Sequence, residues 1–122
     1  MQRRGAQYHK ERLAEAVREE ISAIVEGELA DPRIGLAHVT EVHLASDGKS
    51  ATVLIAVDGS EQERQTSLEA LTSAKGFIRR QVAHRLSLRQ APDLHFQLDK
   101  SEQYESRISE LLKRVQKRDK GT

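Results

Sequence analysis

From His9 onward the apolar residues fall at Leu13, Val17, Ile21, Ile24, Val25 and Leu29, while Glu15, Arg18, Glu19 and Glu20 occupy the other side. This spacing predicts one amphipathic helix. Pro32 and Gly35, within Asp31-Pro32-Arg33-Ile34-Gly35, stop it at a structured turn. The next segment alternates His38, Thr40, Val42 and Leu44 against Val39, Glu41, His43 and Ala45, a strand-like pattern in which neither face is purely apolar. Ala51, Val53, Ile55 and Val57 line one side of a clearer strand, and Asp47 and Gly48 between the two supply a hairpin turn. Ser60 and Glu63 form the sequence signature of a capping box. Leu68, Leu71, Ala74, Ile78, Val82 and Leu86 then continue an apolar line, which predicts helix from about Ser60 to Leu86 with a bend near Gly76. After Pro92, Leu94, Phe96 and Leu98 alternate with Asp93, His95, Gln97 and Asp99 as a half-buried strand. Ser101 can cap a last helix whose apolar side is Tyr104, Ile108, Leu111, Leu112 and Val115.

The order helix, strand, strand, bent helix, strand, helix predicts an α+β fold, a three-stranded sheet with helices on one face. The return from the second strand to the third is expected to cross over in the right-handed sense. A chain of 122 residues fits one domain, expected over residues 9–115. Residues 1–8 are expected to fray, and residues 116–122 to form a flexible basic tail.

Composition narrows the chemistry. The chain has no cysteine, which excludes disulfides, thiol catalysis and Cys-based zinc and suits a cytoplasmic setting. No apolar run approaches the roughly 20 residues needed to span a bilayer. No GxGxxG, P-loop, HExxH or GxSxG motif occurs, so no enzymatic activity and no cofactor are expected. Strict alternation puts His38 and His43 on opposite faces of their strand, which speaks against a metal shared with His95.

Charge is abundant but nearly balanced, and what marks this chain is its local segregation. Net charge is only +1, yet Lys75, Arg79, Arg80, Arg85 and Arg89, with His84 among them, follow one another with no acid between Glu69 and Asp93. On a helical wheel Arg79 and Arg85 flank Val82, while Arg80 and His84 lie nearly opposite it. Such a run is a candidate phosphate-binding surface. Arg33 and the cluster Arg3, Arg4, Lys10 and Arg12 are secondary candidates. Two Phe, two Tyr and no Trp cannot build an aromatic platform for splayed bases, so any RNA should be read through backbone and shape.

The ordered set of segments resembles the bacterial ribosome-binding factor A family. The residues that carry the resemblance are the first helix ending in Asp31-Pro32-Arg33-Ile34-Gly35, Ser73-Ala74-Lys75-Gly76-Phe77-Ile78-Arg79, the run from Leu88 to Phe96, and the run from Ser101 to Leu112. The resemblance implies a type II KH-like domain with a mixed sheet, in which Ala74, Lys75 and Gly76 stand as an Ala-X-Gly helix kink in place of the Gly-X-X-Gly loop of KH domains. It also implies binding to the small ribosomal subunit and its 16S rRNA late in assembly, support of rRNA maturation, and growth in the cold. A monomer with no membrane partner, metal or small-molecule substrate is expected. The alternatives are an RNA-binding or protein-interaction module unconnected with the ribosome.

Overall fold

The structure, a computed structural model, describes the backbone of residues 2–120 and the side chains of residues 11–101 and 108–116. Helix α1 (Gln2–Ala23) widens into a π-helical turn (Ile24–Glu28), followed by β1 (Ala37–Leu44), β2 (Ser50–Val57), α2 (Glu61–Ser73), α3 (Lys75–Arg85), β3 (Asp93–Leu98) and α4 (Ser101–Lys120). The sheet order is β1-β2-β3, with β1 and β2 antiparallel and β2 and β3 parallel. The expected mixed three-stranded sheet is therefore observed. The helical backbone of α1 begins before His9. The side chains of Arg3, Arg4, Lys10 and Tyr104 and those of residues 117–120 lie outside the described residues, as do residues 1, 121 and 122 altogether.

The core forms between the sheet and the first three helices. Val17, Ile21, Ile24 and Val25 from α1 and its π turn meet Ala51, Val53, Ile55 and Val57 from β2, Leu71 from α2, Ile78 and Val82 from α3, and Leu94 from β3. Each large aliphatic side chain buried this way contributes roughly 1.5–3 kcal/mol relative to leaving it in water. The π turn has a visible packing consequence. Leu29 N–H donates to the Ile24 carbonyl at 2.9 Å, and in this wider turn the adjacent Ile24 and Val25 are both buried.

Strand β1 departs from strict alternation. Val39 pairs with Ile55 and Glu41 with Leu54, which leaves Thr40 as the extra residue of a β-bulge. Val39 thereby shares the core face with Val42 and Leu44, opposite Ile55, Val53 and Ala51. The bulge also corrects the histidine assignment. His38 and His43 fall on the same, open face, where His43 and His95 both lie opposite Thr52. Even so, among the described residues no group of three His, Asp or Glu side chains is arranged to hold a metal ion.

The bent helix is two helices. Ser60 accepts from Glu63 N–H at 3.1 Å and the Glu63 carboxylate accepts from Ser60 N–H at 3.2 Å, completing the capping box. The break falls at Ala74, at φ −85° and ψ 0°. Immediately before it, Thr72 and Ser73 donate their hydroxyls back to the Leu68 and Glu69 carbonyls at 2.9 and 3.0 Å. Such back-bonds compete with the helical ladder and bend helices. Gly76 stands inside the first turn of α3, and the glycines with positive φ are Gly48 and Gly59. A Cβ added at Gly76 would meet only the Arg80 Nη1 atom, at 3.5 Å. The break thus falls within the Ala74-Lys75-Gly76 segment, at its alanine, while Gly76 itself lies in the helical first turn of α3.

Helix α4 leaves its apolar residues open. Ile108, Leu111, Leu112 and Val115 lie on one side as the period predicts, yet they remain 39 to 59% exposed. Helices α1 to α3 already supply the core that covers the sheet. Periodicity identifies the apolar side of a helix but not a surface to receive it.

Candidate nucleic-acid interface

The four cations of the run that lie on α3, Lys75, Arg79, Arg80 and Arg85, divide by their angular position, and Arg89 follows the helix. Arg79 and Arg85, which flank Val82, are turned inward to structural partners. Arg79 donates from Nε to the Pro92 carbonyl and from Nη2 to the Ala91 carbonyl, both at 3.0 Å. It fixes the loop that leads into β3. Arg85 reaches Glu28 at 2.7 Å and Glu20 at 3.4 Å, clamping α3 to α1 and its π turn. The hydrogen bond to Glu28 raises the Arg85 pKa and lowers that of Glu28 below the usual carboxylate range.

Lys75, at the start of α3, pairs with Asp93 at 3.2 Å, and this contact holds the Asp93 carboxyl below its ordinary pKa. Asp93 also lies 3.5 Å from His95. Arg80 and Arg89 are exposed, and among the described residues neither engages an acid or a carbonyl group. His84, exposed, follows Arg80 by one helical turn. Of the sequence run, the outward surface is therefore Arg80, His84 and Arg89, with Lys75 half-screened at its edge.

Arg89 owes its place to the end of α3. Leu88 N–H donates to the Ala83 carbonyl at 2.8 Å and Ser87 N–H to that of His84 at 3.3 Å. These are the two bonds of a Schellman cap, with Ser87 at φ 53° in the left-handed position that glycine usually fills. The chain thus turns sharply after Leu86, and Arg89 follows this cap as an exposed residue.

Arg33 belongs to a separate loop. Its guanidinium makes a forked contact with Asp31 at 2.8 to 3.3 Å, which depresses the Asp31 pKa. The side chain stays 53% exposed, so the pair is solvent-screened and can exchange its carboxylate for a phosphate at small cost. The loop is anchored by Ser67, a buried polar side chain that accepts from Gly35 N–H at 3.1 Å and donates to the Arg33 carbonyl at 3.2 Å. The structure does not bring this loop's Arg33 into contact with the α3 cations. Arg12 is exposed on α1; Arg3, Arg4 and Lys10 keep their sequence-based candidacy only.

An uncharged residue also stands on this side of α3. Phe77 is 42% exposed, next to the exposed Gly76 and three residues before Arg80. A wheel drawn through Ala74, Ile78 and Val82 contains the signal, since Phe77 lies about 100° off that apolar line. The outer side of α3 therefore combines a bare backbone at Gly76, an aromatic ring, a guanidinium and an imidazole. Its chemistry is that of anion and ring contact. No helix among the described residues is long and apolar enough to cross a membrane.

Known proteins with the same pattern identify the lineage. A family model described as Ribosome-binding factor A matches residues 9–112. A Koribacter versatilis protein named Ribosome-binding factor A is 59% identical over 122 residues, covering 100% of this chain and 99% of its own. The crystal structure of ribosome-binding factor A from Thermus thermophilus superposes with a TM-score of 0.59 at 29% identity, covering 78% of this chain and 96% of that one. A second Thermus thermophilus set of coordinates is a homology model fitted into the cryo-electron microscopy map of a complex of that factor with the 30S subunit. It has a TM-score of 0.55 at 30% identity and covers 75% of this chain and 92% of that one. With the fold and nearly the whole length in common, the chain belongs to the ribosome-binding factor A family.

Proposed function

We propose that this protein binds the free 30S ribosomal subunit in the cytoplasm as a monomer. There it assists late maturation and processing of 16S rRNA and supports growth in the cold. The carrying observation is Arg80, exposed on the outer side of α3 and without an acid or carbonyl partner among the described residues, with Arg89 after the helix, in a chain whose Thermus relative is described in a complex with the 30S subunit. Arg80 and Arg89 take phosphates first. Lys75 and Arg33 follow by exchanging the carboxylates of Asp93 and Asp31, and Arg3, Arg4 and Lys10 extend the contact from α1.

The action is binding without covalent chemistry. Cations that neutralise rRNA phosphates release counterions, which makes affinity fall steeply with salt. A binder that prefers one rRNA conformation shifts the population toward it by its differential affinity and by no more than that. Small-subunit co-sedimentation over a salt series tests the reading. The double substitution Arg80→Glu and Arg89→Glu should weaken binding and flatten its salt dependence; unchanged affinity would take this face out of the interface.

A protein-interaction reading has one observation in its favour, the exposed Ile108, Leu111, Leu112 and Val115 of α4. Binding through that side would respond little to salt.

A further inference from the structure

Phe77 is an aromatic residue on α3 that stands outside the hydrophobic core cluster. It is 42% exposed and belongs neither to the buried cluster nor to the partly buried residues that pack on it, whereas Ile78, the next residue, is fully buried. The chain has two Phe and two Tyr, and the other phenylalanine, Phe96, packs on the core. Leaving a large part of one of four such rings in water forgoes burial that the fold would otherwise gain.

The surroundings of the ring restrict what it can meet. Gly76 carries no Cβ and leaves the backbone beside the ring open, and Arg80 projects back along the helix toward Gly76. Residues three apart on a helix are neighbours, so the ring and the Arg80 guanidinium share one patch. No other large apolar side chain of α3 is exposed. A single ring edged by glycine and cations is too small and too polar for a protein interface, which buries about 800 Å² per partner. A duplex offers phosphates but no free base face. An unpaired nucleotide offers both a π face and a phosphate, and stacking tolerates any base.

We infer that Phe77 stacks on one unpaired base of the RNA while Arg80 holds a neighbouring phosphate. This inference rests on the α3 reading given above and adds a base contact to it. One ring makes a single-nucleotide site, which is compatible with the lack of an extended aromatic platform.

The absence of tryptophan permits a direct test in the full chain. Phe77→Trp creates a single indole reporter, and Phe77→Leu keeps an apolar side chain while removing the π face. Both variants are checked for unchanged thermal unfolding. The probes are purified 30S subunits, mixed-sequence single-stranded RNA and an RNA duplex. Stacking predicts that the indole emission is quenched on subunits and on single strands but not on duplex. It also predicts that Phe77→Leu weakens subunit binding by roughly tenfold while Phe77→Trp retains it. Subunit binding with an unquenched or blue-shifted indole, or Phe77→Leu binding as tightly as the unaltered chain, overturns the inference. If no variant co-sediments with subunits, the ribosomal reading fails by itself and quenching by single strands decides the base contact; no quenching there overturns it.

Discussion

Thr40, the extra residue of the β1 bulge, donates its hydroxyl to the Asp99 carboxylate at 2.7 Å, across 59 residues of sequence. The other Asp99 oxygen accepts from the Ser101 backbone N–H at 3.0 Å and from its hydroxyl at 2.6 Å. One carboxylate therefore ties the bulge to the first turn of α4 and satisfies a backbone donor left open at a helix start. This holds the base of α4 while its apolar side remains in solvent.

Replacing Asp99 by Ala should cost about 1–2 kcal/mol, because both the cap and the acceptor for Thr40 are lost. Urea denaturation measures the cost. Hydrogen exchange should locate the added opening at the start of α4 and beside Thr40, with the α2 and α3 amides unaffected.

The α3 arginines should separate into structural and surface classes. Arg79→Glu leaves the Ala91 and Pro92 carbonyls without their donors and is expected to destabilise the fold by about 1–3 kcal/mol. Arg80→Glu should change stability by less than about 0.5 kcal/mol. Thermal unfolding of the two variants decides between this and a uniformly solvated basic helix, for which both would unfold like the unaltered chain.

Gly76→Ala should stabilise α3 by up to about 1 kcal/mol, since the backbone there is helical and the added methyl meets only a movable guanidinium. Unchanged or higher stability together with weaker subunit binding would assign the glycine to close approach by the ligand. Lower stability would show a constraint at Gly76 that its backbone does not reveal.

Ser87→Gly should also stabilise, by a few tenths to about 1 kcal/mol, because a side chain at φ 53° is strained in a position glycine occupies freely. Chemical denaturation of the single variant provides the measurement.

Acid should act late. Glu28, Asp31, Asp93 and Asp99 all have pKa values lowered by hydrogen bonds, from Arg85, Arg33, Lys75 and Ser101 first in each case. A carboxyl whose folded pKa is depressed contributes stability that is fully present above its unfolded pKa. That contribution is lost as pH falls through the folded value. Stability should therefore hold from neutral pH down to the ordinary carboxylate range and decline below it, with a shallow slope because the groups are largely solvated. A decline that begins well above the carboxylate range would overturn the assignment to these four carboxyls.

Helix and strand types were decided by the sequence itself: the period of Val17, Ile21 and Ile24, the alternation of Leu94, Phe96 and Leu98, and the Ser60–Glu63 box each follow from local geometry that any partner must accept. The wheel also set Arg79 and Arg85 beside Val82 and Arg80 and His84 opposite it, yet from sequence all five cations of the run stood alike as candidates for phosphate. Only the tertiary structure decided which acids and carbonyls those inward arginines meet, because Glu20, Glu28, Ala91 and Pro92 come from other segments. The bulge at Thr40 was likewise closed to sequence reading. Its mixed faces become one apolar face only when β1 is held against Val53 and Ile55 of β2, and that pairing carried His38 and His43 to the same side. The exposed side of α4 follows the same rule. A period fixes which side of a helix is apolar, whereas what covers that side depends on surfaces assembled elsewhere in the chain.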